Sequence, residues 1–284
     1  MEDKKQLMAR IRELSERAYQ RDIPQHTPFL GVSEQAAFLA QEKSFREAGW
    51  LLYGGHPEAE RQMLFFLPEY LSEERSGWRR RETAAGQENG REAGEDFAAL
   101  CPGLFAVLSE AIACVRLSPV NERFAEALSH RDYLGALMNL GIERDVTGDI
   151  LQEGKTAYLY CTSEIAETIC TELVSVRHTA VRCVQIGLSE AFRIAPRLEA
   201  LSVNVPSERL DAVIAAVFRL SRGTAAELCA QEKVFLDGRI VSQPGRSIPA
   251  GVRVSVRGYG KFLYDGMTHE TKKGRLYVTV RKFI

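Results

Sequence analysis

Apolar side chains recur at helical spacing near the start of the chain. Residues 4–20 place them about one turn apart, at Leu7, Ile11, Leu14 and Ala18. This spacing predicts an amphipathic helix. A second helix is predicted over 33–45, a short strand over 50–53 and further helical turns over 58–63. We therefore expect a small helical N-terminal domain over residues 1–71.

The sequence changes character after this segment. Residues 72–96 begin with serine, glutamate and arginine and continue into a stretch rich in glycine, glutamate and alanine. Apart from Trp78, this stretch offers little apolar surface to bury, so folding would not offset the entropy lost on ordering the chain. We predict a flexible linker over residues 72–103.

An ordered series of strand and helix patterns follows the linker. The predicted elements are strand, helix, strand, strand, helix and strand, at 105–117, 121–140, 149–151, 157–160, 163–176 and 180–186. The order β-α-β-β-α-β is typical of ferredoxin-like domains. We therefore predict an RRM-like (ferredoxin-like) middle domain over residues 104–201, in a chain of the α+β class.

The middle segment lacks the chemistry that usually accompanies an RRM. Aromatic side chains on an RRM sheet stack RNA bases, within a basic-glycine-aromatic signature. That signature is missing here. Tyr158 and Tyr160 share one face of a predicted strand, because strand side chains alternate. Both base stacking and packing are open to them, and packing is the favoured interpretation.

The last part of the chain predicts two short helices followed by small strands. The first helix is expected to begin at Ser207 as its N-cap, and the second to cover 224–231. Asp237-Gly238 predicts a tight hairpin turn. Residues 252–257 alternate apolar and polar side chains, as a half-buried strand does. We expect a C-terminal domain over residues 202–284.

The sign of the net charge changes at the start of this predicted C-terminal domain. The whole chain carries a net charge of −1. Residues 202–284 contain 14 lysines and arginines and 7 aspartates and glutamates, a net charge of +7, which leaves −8 for residues 1–201. A basic segment joined to an acidic one is typical of a module that binds a polyanion such as RNA.

Patterns that support catalysis are sparse. The six cysteines form no Cys-x-x-Cys pair, so we expect free thiols and no metal site. No phosphate-binding loop or dinucleotide fingerprint occurs, so no cofactor is predicted. Ser129, His130 and Asp132 lie too close in sequence to form a catalytic triad. From these absences we expect a protein that is not an enzyme. We also expect it in the cytoplasm, because no apolar run approaches the roughly 20 residues of a membrane helix.

The C-terminal segment resembles the S4 RNA-binding domain. The matching residues are Arg209-Leu210-Asp211, Ser221 to Ala225, Lys233 to Gly238, Gly251 and Val254 to Gly258. Helix N-termini and arginine side chains together can bind phosphate. The expected RNA-binding residues are Arg209, Arg222, Thr224, Lys233, Arg239, Arg257, Lys272, Lys273 and Arg275. We expect Asp211 to orient an arginine, and His130 and Arg131 to contact RNA or to be structural.

Three positions depart from the S4 pattern. Glu232 stands where S4 domains commonly carry glycine, Asp237 replaces the usual turn asparagine, and Val252 replaces the usual aspartate. The two acidic residues remove favourable charge or geometry from the hairpin side.

The resemblance extends beyond the S4 segment. The further matching stretches are Gly54 to Arg61, Ser129 to Leu137, Gly148 to Ile150 and Thr271 to Arg275. Together they resemble the YlmH family of bacterial S4-domain proteins, relative to which residues 72–96 are an insertion. The resemblance implies a non-catalytic factor that binds ribosomal RNA and peptidyl-tRNA on the large ribosomal subunit. It also implies a role in the rescue of stalled ribosomes that supports alanine tailing, with other rescue factors as further partners.

Two alternatives stay open at this point. S4 domains are often appended to RNA-modifying enzymes, which makes an accessory RNA-modifying protein one alternative. Genes of the YlmH family commonly lie near cell-division genes, which makes a cell-division-associated adaptor protein the other.

Overall fold

The computed structural model describes residues 2–45, 49–56, 58–77, 99, 101–191, 194, 196–271 and 274–284. The chain divides into two compact units, Met1–Ala195 and Pro196–Ile284. Both units combine helices with antiparallel sheets, which agrees with the predicted α+β class.

The first part of unit 1 contains a three-stranded sheet as well as helices. Its elements are α1 (Glu2–Arg21), β1 (Gln25–Leu30), α2 (Val32–Leu39), a 3-10 turn (Glu42–Ser44), β2 (Gly49–Tyr53), β3 (Gln62–Leu67) and a 3-10 turn (Glu69–Leu71). The sheet order is β1-β3-β2. The predicted helix over 4–20 and the strand over 50–53 are confirmed, whereas the second helix ends at Leu39, earlier than predicted.

The prediction of helical turns over 58–63 is wrong, because Gln62–Leu67 is the central strand β3. All six of its residues are buried. Leu64 and Phe66 pack with α1 and α2, whereas Met63 and Phe65 face the opposite side of the sheet. A strand covered on both faces reads as a continuous apolar run, which periodicity alone cannot distinguish from a buried helix.

The second part of unit 1 has the predicted order of strands and helices, with shifted bounds. Its elements are α3 (Pro102–Ala111), β4 (Ile112–Pro119), α4 (His130–Asn139), a 3-10 turn (Arg144–Val146), β5 (Thr147–Glu153), β6 (Thr156–Thr162), α5 (Ser163–Glu172), β7 (Ser175–Val176), β8 (Thr179–Ile186) and a helical turn (Leu188–Ala191). The sheet order is β5-β6-β4-β8-β7, and every pairing is antiparallel.

Two predicted elements of this part are wrong in type or extent. The first half of the predicted strand 105–117 is helix α3, which Pro102 opens and which buries Leu104, Leu108 and Ala111 along one face. The predicted helix over 121–140 begins only at His130. Before it, the side-chain amine of Lys155 donates to backbone carbonyls at Glu122 and Ala125 and holds the chain in an irregular path.

One hydrophobic cluster spans the N-terminal and middle segments, in addition to a separate cluster within each. Phe29, Tyr53 and Phe65 of the first sheet pack in the same cluster as Cys114 and Tyr160 of the second. Tyr160 is fully buried, and its hydroxyl donates to the Ala191 carbonyl at 2.9 Å. The sheet face on which an RRM presents its aromatic residues is therefore partly covered by the N-terminal segment, and Tyr160 is a core residue.

The predicted linker falls mostly outside the described residues. Within it, residues 72–77 are helical. This helix is fixed to α3, because the backbone N–H of Leu104 donates to the Glu74 carboxylate at 2.7 Å. Trp78 lies outside the described residues.

Unit 2 packs two helices on a six-stranded sheet. Its elements are β9 (Leu198–Val205), α6 (Leu210–Phe218), α7 (Arg222–Ala230), β10 (Val234–Leu236), β11 (Arg239–Ile240), β12 (Val252–Val256), β13 (Gly260–Glu270) and β14 (Leu276–Phe283). The sheet order is β11-β10-β12-β13-β14-β9. The predicted boundary between residues 201 and 202 divides β9, which pairs along its whole length with β14.

Candidate nucleic-acid interface

The start of α6 is held by a neighbouring loop. Arg209 occupies the N-cap position, so the helix begins later than the predicted Ser207 cap. The backbone N–H groups of Leu210 and Asp211 donate to the carbonyls of Arg246 and Pro244, at 2.9 and 3.0 Å. The expectation that this helix N-terminus offers unpaired N–H groups to a phosphate is therefore wrong. Its contribution to a charged surface comes from side chains.

Asp211 joins two arginines from different helices. Its carboxylate accepts hydrogen bonds from Arg209 Nε at 3.1 Å and from Arg222 Nη2 at 2.8 Å. Asp211 is 4% exposed, whereas the two arginine side chains are 46% and 51% exposed. The buried carboxylate thus positions both guanidinium groups at the surface, which agrees with the role expected for Asp211.

Burial would raise the pKa of Asp211, but hydrogen bonds from Arg209 and Arg222 outweigh it and hold the pKa below its usual value. The carboxylate is therefore ionised at neutral pH. Two guanidinium groups and one carboxylate leave a net charge of +1 at this cluster.

Unlike the start of α6, the start of α7 has backbone N–H groups that are not bonded by a neighbouring loop in the described part of the chain. Ser221 caps the helix by accepting the backbone N–H of Thr224 at 3.0 Å, and the two hydroxyls are 2.8 Å apart. Among the described residues, the backbone N–H groups of Arg222 and Gly223 have no hydrogen-bond partner. This end of α7 therefore combines two accessible N–H groups with the positioned Arg222 side chain. The backbone N–H and the hydroxyl of Thr224 are both bonded within this cap.

The basic residues predicted around the β10–β11 hairpin lie at two ends of β10. Arg257 and Lys233 are adjacent, since the backbone N–H of Arg257 donates to the Lys233 carbonyl at 2.9 Å. Arg239 is exposed and pairs in register with Leu236 beside the turn at the other end.

Two of the departures from the S4 pattern occupy left-handed backbone. Glu232 has a φ of 54° and Asp237 a φ of 45°. This left-handed region favours glycine and asparagine over residues such as glutamate. The positions at which the S4 pattern carries glycine and asparagine are thus left-handed in this chain as well.

Strands β13 and β14 pair as an antiparallel hairpin, and the backbone N–H of Thr271 donates to the Arg275 carbonyl at 2.7 Å. Lys272 and Lys273 lie outside the described residues. Arg275 is exposed, and its guanidinium donates to the side chain of Asn204 and, at 3.1 Å, to the Asn204 carbonyl. Arg275 is therefore fixed against β9.

His130 and Arg131 open helix α4. The cap is formed by Ser129 and Asp132, whose hydroxyl and carboxylate are 2.7 Å apart, so these two residues serve the helix end. Desolvation by surrounding protein and then the charge of Arg144 lower the pKa of His130. This shift favours the neutral form of the His130 ring. Arg131 lines a shallow cavity of about 520 Å³ with Asp132, Glu172 and Arg177 among other residues.

Sequence reasoning missed the contacts that join the matched stretches 54–61 and 148–150. The Asp149 carboxylate accepts the backbone N–H groups of Glu60 and Arg61 at 2.7 and 3.0 Å. The Arg61 guanidinium donates to the carbonyls of Phe29, Thr147 and Arg144 at 2.8 to 2.9 Å. These contacts fasten the first sheet of unit 1 to the second. Nothing in the spacing of the two stretches predicted them.

The described residues include neither a metal-binding cluster nor a membrane helix. No three histidine, cysteine, aspartate or glutamate side chains within them converge to hold a metal ion. All six cysteines are free thiols, as expected. No helix in the described part of the chain is long and apolar enough to cross a bilayer.

Known proteins resemble this chain in sequence. The family model described as "Putative RNA-binding domain in YlmH" matches residues 115–190. "Ribosome-associated protein quality control protein P2" of Bacillus subtilis (strain 168) is 27% identical over 259 residues, which cover 90% of this chain and 86% of the relative. The solved structure "Cell division protein ylmH from Streptococcus pneumoniae" aligns at 18% identity over 67% of this chain and 94% of that chain. The TM-score of this alignment is 0.43.

Proposed function

The resemblance to the YlmH family is confirmed, and from this premise we propose that the protein is a non-catalytic RNA-binding factor of the large ribosomal subunit. Its RNA contacts are ribosomal RNA and peptidyl-tRNA, and its role is the rescue of stalled ribosomes in the cytoplasm, where it supports alanine tailing. We assign unit 2 to the S4 type and residues 112–186 to the RRM-like type.

The single observation that supports this proposal best is the arginine pair positioned by Asp211. A guanidinium group offers several donors in a fixed plane that matches phosphate oxygens. Holding Arg209 and Arg222 in place before RNA arrives reduces the side-chain entropy lost on binding. The accessible N–H groups at the start of α7 add a second, neutral contact to the same phosphate.

The relative from Bacillus subtilis supports the ribosomal setting of the proposal. Its name places it in ribosome-associated protein quality control, and the alignment covers most of both chains. The basic charge of unit 2 suits the phosphate backbone of ribosomal RNA and of tRNA alike.

Cosedimentation with purified large subunits, with and without peptidyl-tRNA, tests the proposal over a series of salt concentrations. We expect binding that requires the tRNA and weakens as salt rises. In the variant Arg209→Ala/Arg222→Ala, binding should fall. The slope of log affinity against log salt should become shallower by roughly 0.7 to 0.9 for each phosphate that the variant no longer neutralises.

The chain offers a matched control on α1. Arg10 and Arg17 are exposed and both pair with Glu13, just as Arg209 and Arg222 pair with Asp211. The variant Arg10→Ala/Arg17→Ala removes the same charge and should bind as the wild type does. Failure of the wild type to bind large subunits in either state would overturn the ribosomal proposal. Equal binding by both double variants would show that the arginine site is wrongly assigned.

A further inference from the structure

The sheet of unit 2 has an outer face, opposite the helices. Side chains alternate along a strand. In β14, Val278 and Val280 point into the core with α6 and α7, so Tyr277, Thr279, Arg281 and Phe283 point outward. Arg275 directly precedes the strand and bonds Asn204 on the same side. In the edge strand β9, the outward residues are Leu198, Ala200, Ser202 and Asn204.

Two aromatic rings lie stacked at one end of this outer face. His269 and Tyr277 are cross-strand partners. Their ring centroids are 4.6 Å apart at an interplanar angle of 19°. His269 is exposed and Tyr277 is half-buried. A planar ring pair at the surface offers an outer ring face on which an unpaired RNA base can continue the stack.

Arginines flank the aromatic pair along the same strand. Arg275 and Arg281 lie two and four residues from Tyr277, roughly 7 and 13 Å along the strand. Arg275 is held by Asn204, and Arg281 donates to the Asp265 carboxylate at 2.9 to 3.1 Å. Lys261 adds a positive charge above the Phe283 ring at 4.7 Å. With Asp265 as the opposing charge, these residues carry a net charge of +2, which suits an RNA backbone.

The part of this face that is exposed enough to bind RNA is limited to β9, β14 and residues 265–270 of β13. On the same face, Phe235 of β10 is 1% exposed and Leu263 of β13 is 8% exposed, so that region is closed. Ala200 and Ser202 are exposed and present small side chains beside Thr279. This exposed surface of small side chains next to the ring pair leaves room for a nucleotide.

We propose that this surface, formed by Arg275, Tyr277, His269 and Arg281, binds a single-stranded stretch of RNA by stacking an unpaired base on the Tyr277–His269 pair. The inference rests on the proposed RNA-binding function and adds a second RNA contact to it. The surface is distinct from the arginine pair, because it lies on the sheet face away from α6 and α7. Unit 2 thus contacts structured RNA through its helices and an unpaired segment through its sheet.

Fluorescence anisotropy with two RNA probes tests this inference on the full chain. The first probe is a short labelled oligouridylate, which is unstructured, and the second is a labelled RNA hairpin with a closed stem. The variant Tyr277→Ile keeps an apolar side chain suited to a strand but lacks a ring. It should bind oligouridylate at least about five-fold more weakly, the lower bound for one stacked base. Its binding to the hairpin should not change.

Two further variants separate stacking from folding. Tyr277→Phe keeps the ring and should bind oligouridylate as the wild type does. The control Tyr70→Ile removes an exposed tyrosine of unit 1, which is 63% exposed, and should also bind normally. A thermal unfolding curve of Tyr277→Ile that matches the wild type excludes loss of structure as the cause. Crosslinking of 4-thiouridine in the oligonucleotide to His269 or Tyr277 gives a readout independent of affinity.

The outcomes distinguish this inference from the proposed function. If Tyr277→Ile binds oligouridylate as tightly as the wild type and no crosslink maps to the ring pair, the stacking surface is wrong. In that case a loss of hairpin binding in Arg209→Ala/Arg222→Ala still supports the proposed function. If the wild type does not bind oligouridylate, the stacking surface is likewise wrong, whereas the proposed function is overturned only by failure to cosediment with large subunits.

Discussion

Replacing Asp211 with asparagine should weaken RNA binding, although the change removes a negative charge from a basic surface. The carboxylate accepts three hydrogen bonds from the guanidinium groups of Arg209 and Arg222, and one from the backbone N–H of Ala212. Asparagine has a single acceptor oxygen, and its amide group cannot accept a hydrogen bond from an arginine. At least one guanidinium group should therefore lose its fixed position.

The magnitude follows from two opposing effects. Removing one negative charge about 7 Å from a phosphate favours binding by roughly 0.6 kcal/mol at the dielectric constant of water. Ordering two mobile arginine side chains on binding costs about 0.5–1.5 kcal/mol each. The second effect is the larger one, by about 0.4 kcal/mol at its lower limit, so we expect affinity to fall roughly twofold or more. We also expect the free energy of unfolding to fall by about 1–2 kcal/mol, a charged hydrogen-bond contribution discounted for exposure.

Anisotropy titration with an RNA hairpin measures the affinity, and urea denaturation measures the stability. Asp237→Asn is a matched control, because it removes the same charge from the same unit. Asparagine also tolerates the left-handed backbone found at position 237. The control should bind RNA as tightly as the wild type or more tightly. If Asp211→Asn behaves in the same way as this control, the positioning role of Asp211 is refuted and only net charge matters.

Three further predictions concern stability. Glu232→Gly should raise the free energy of unfolding by about 0.5–1 kcal/mol in urea titrations, since glycine relieves a left-handed φ of 54° at a smaller entropic cost; a lower urea midpoint would contradict this. Arg61→Lys should lower the free energy of unfolding by about 2–3 kcal/mol, because a single ammonium nitrogen cannot donate to all three carbonyls that Arg61 bonds. The control Arg10→Lys, on the exposed side of α1, should change the free energy of unfolding by less than about 0.5 kcal/mol. Because the folded-state pKa of Asp211 is lowered, its stabilisation is present above the unfolded pKa near 4 and is lost as pH falls through the folded pKa. The stability difference between wild type and Asp211→Asn should therefore be full at pH 7 and shrink in acid; a difference that is independent of pH would contradict this.

The local elements with strong sequence signals can be predicted well. The hairpin at Asp237-Gly238, the alternating strand over 252–257 and the order of strands and helices in the middle segment all follow from short-range rules of turn chemistry and periodicity. The arginines of the candidate site can also be identified from the sequence, because their residue types and their places near helix starts suit phosphate binding. The expected role of Asp211 needs only its closeness to Arg209 in sequence.

Burial on both faces of a strand, by contrast, is decided only by tertiary structure. The apolar run of strand β3 has no alternation that distinguishes it from helical turns. For Tyr160 the sequence favours packing over base stacking but does not identify the segment that covers it, which in the folded chain is the first sheet of unit 1. In both cases the partner that provides the covering layer lies far away in sequence, so no local pattern records it.

The sequence by itself determined which residues carry the positive charge and the type of those short segments that have a strong local signal, such as the Asp237-Gly238 turn and the strand over 252–257. It did not determine which helix end stays open. The N–H groups at the start of α6 are taken by carbonyls of Pro244 and Arg246, some 35 residues downstream, whereas those of α7 are not. Likewise, His269 and Tyr277 meet only through the register of β13 with β14. Local propensity acts between near neighbours, whereas these sites depend on backbone and side-chain contacts between distant segments that only the folded chain brings together.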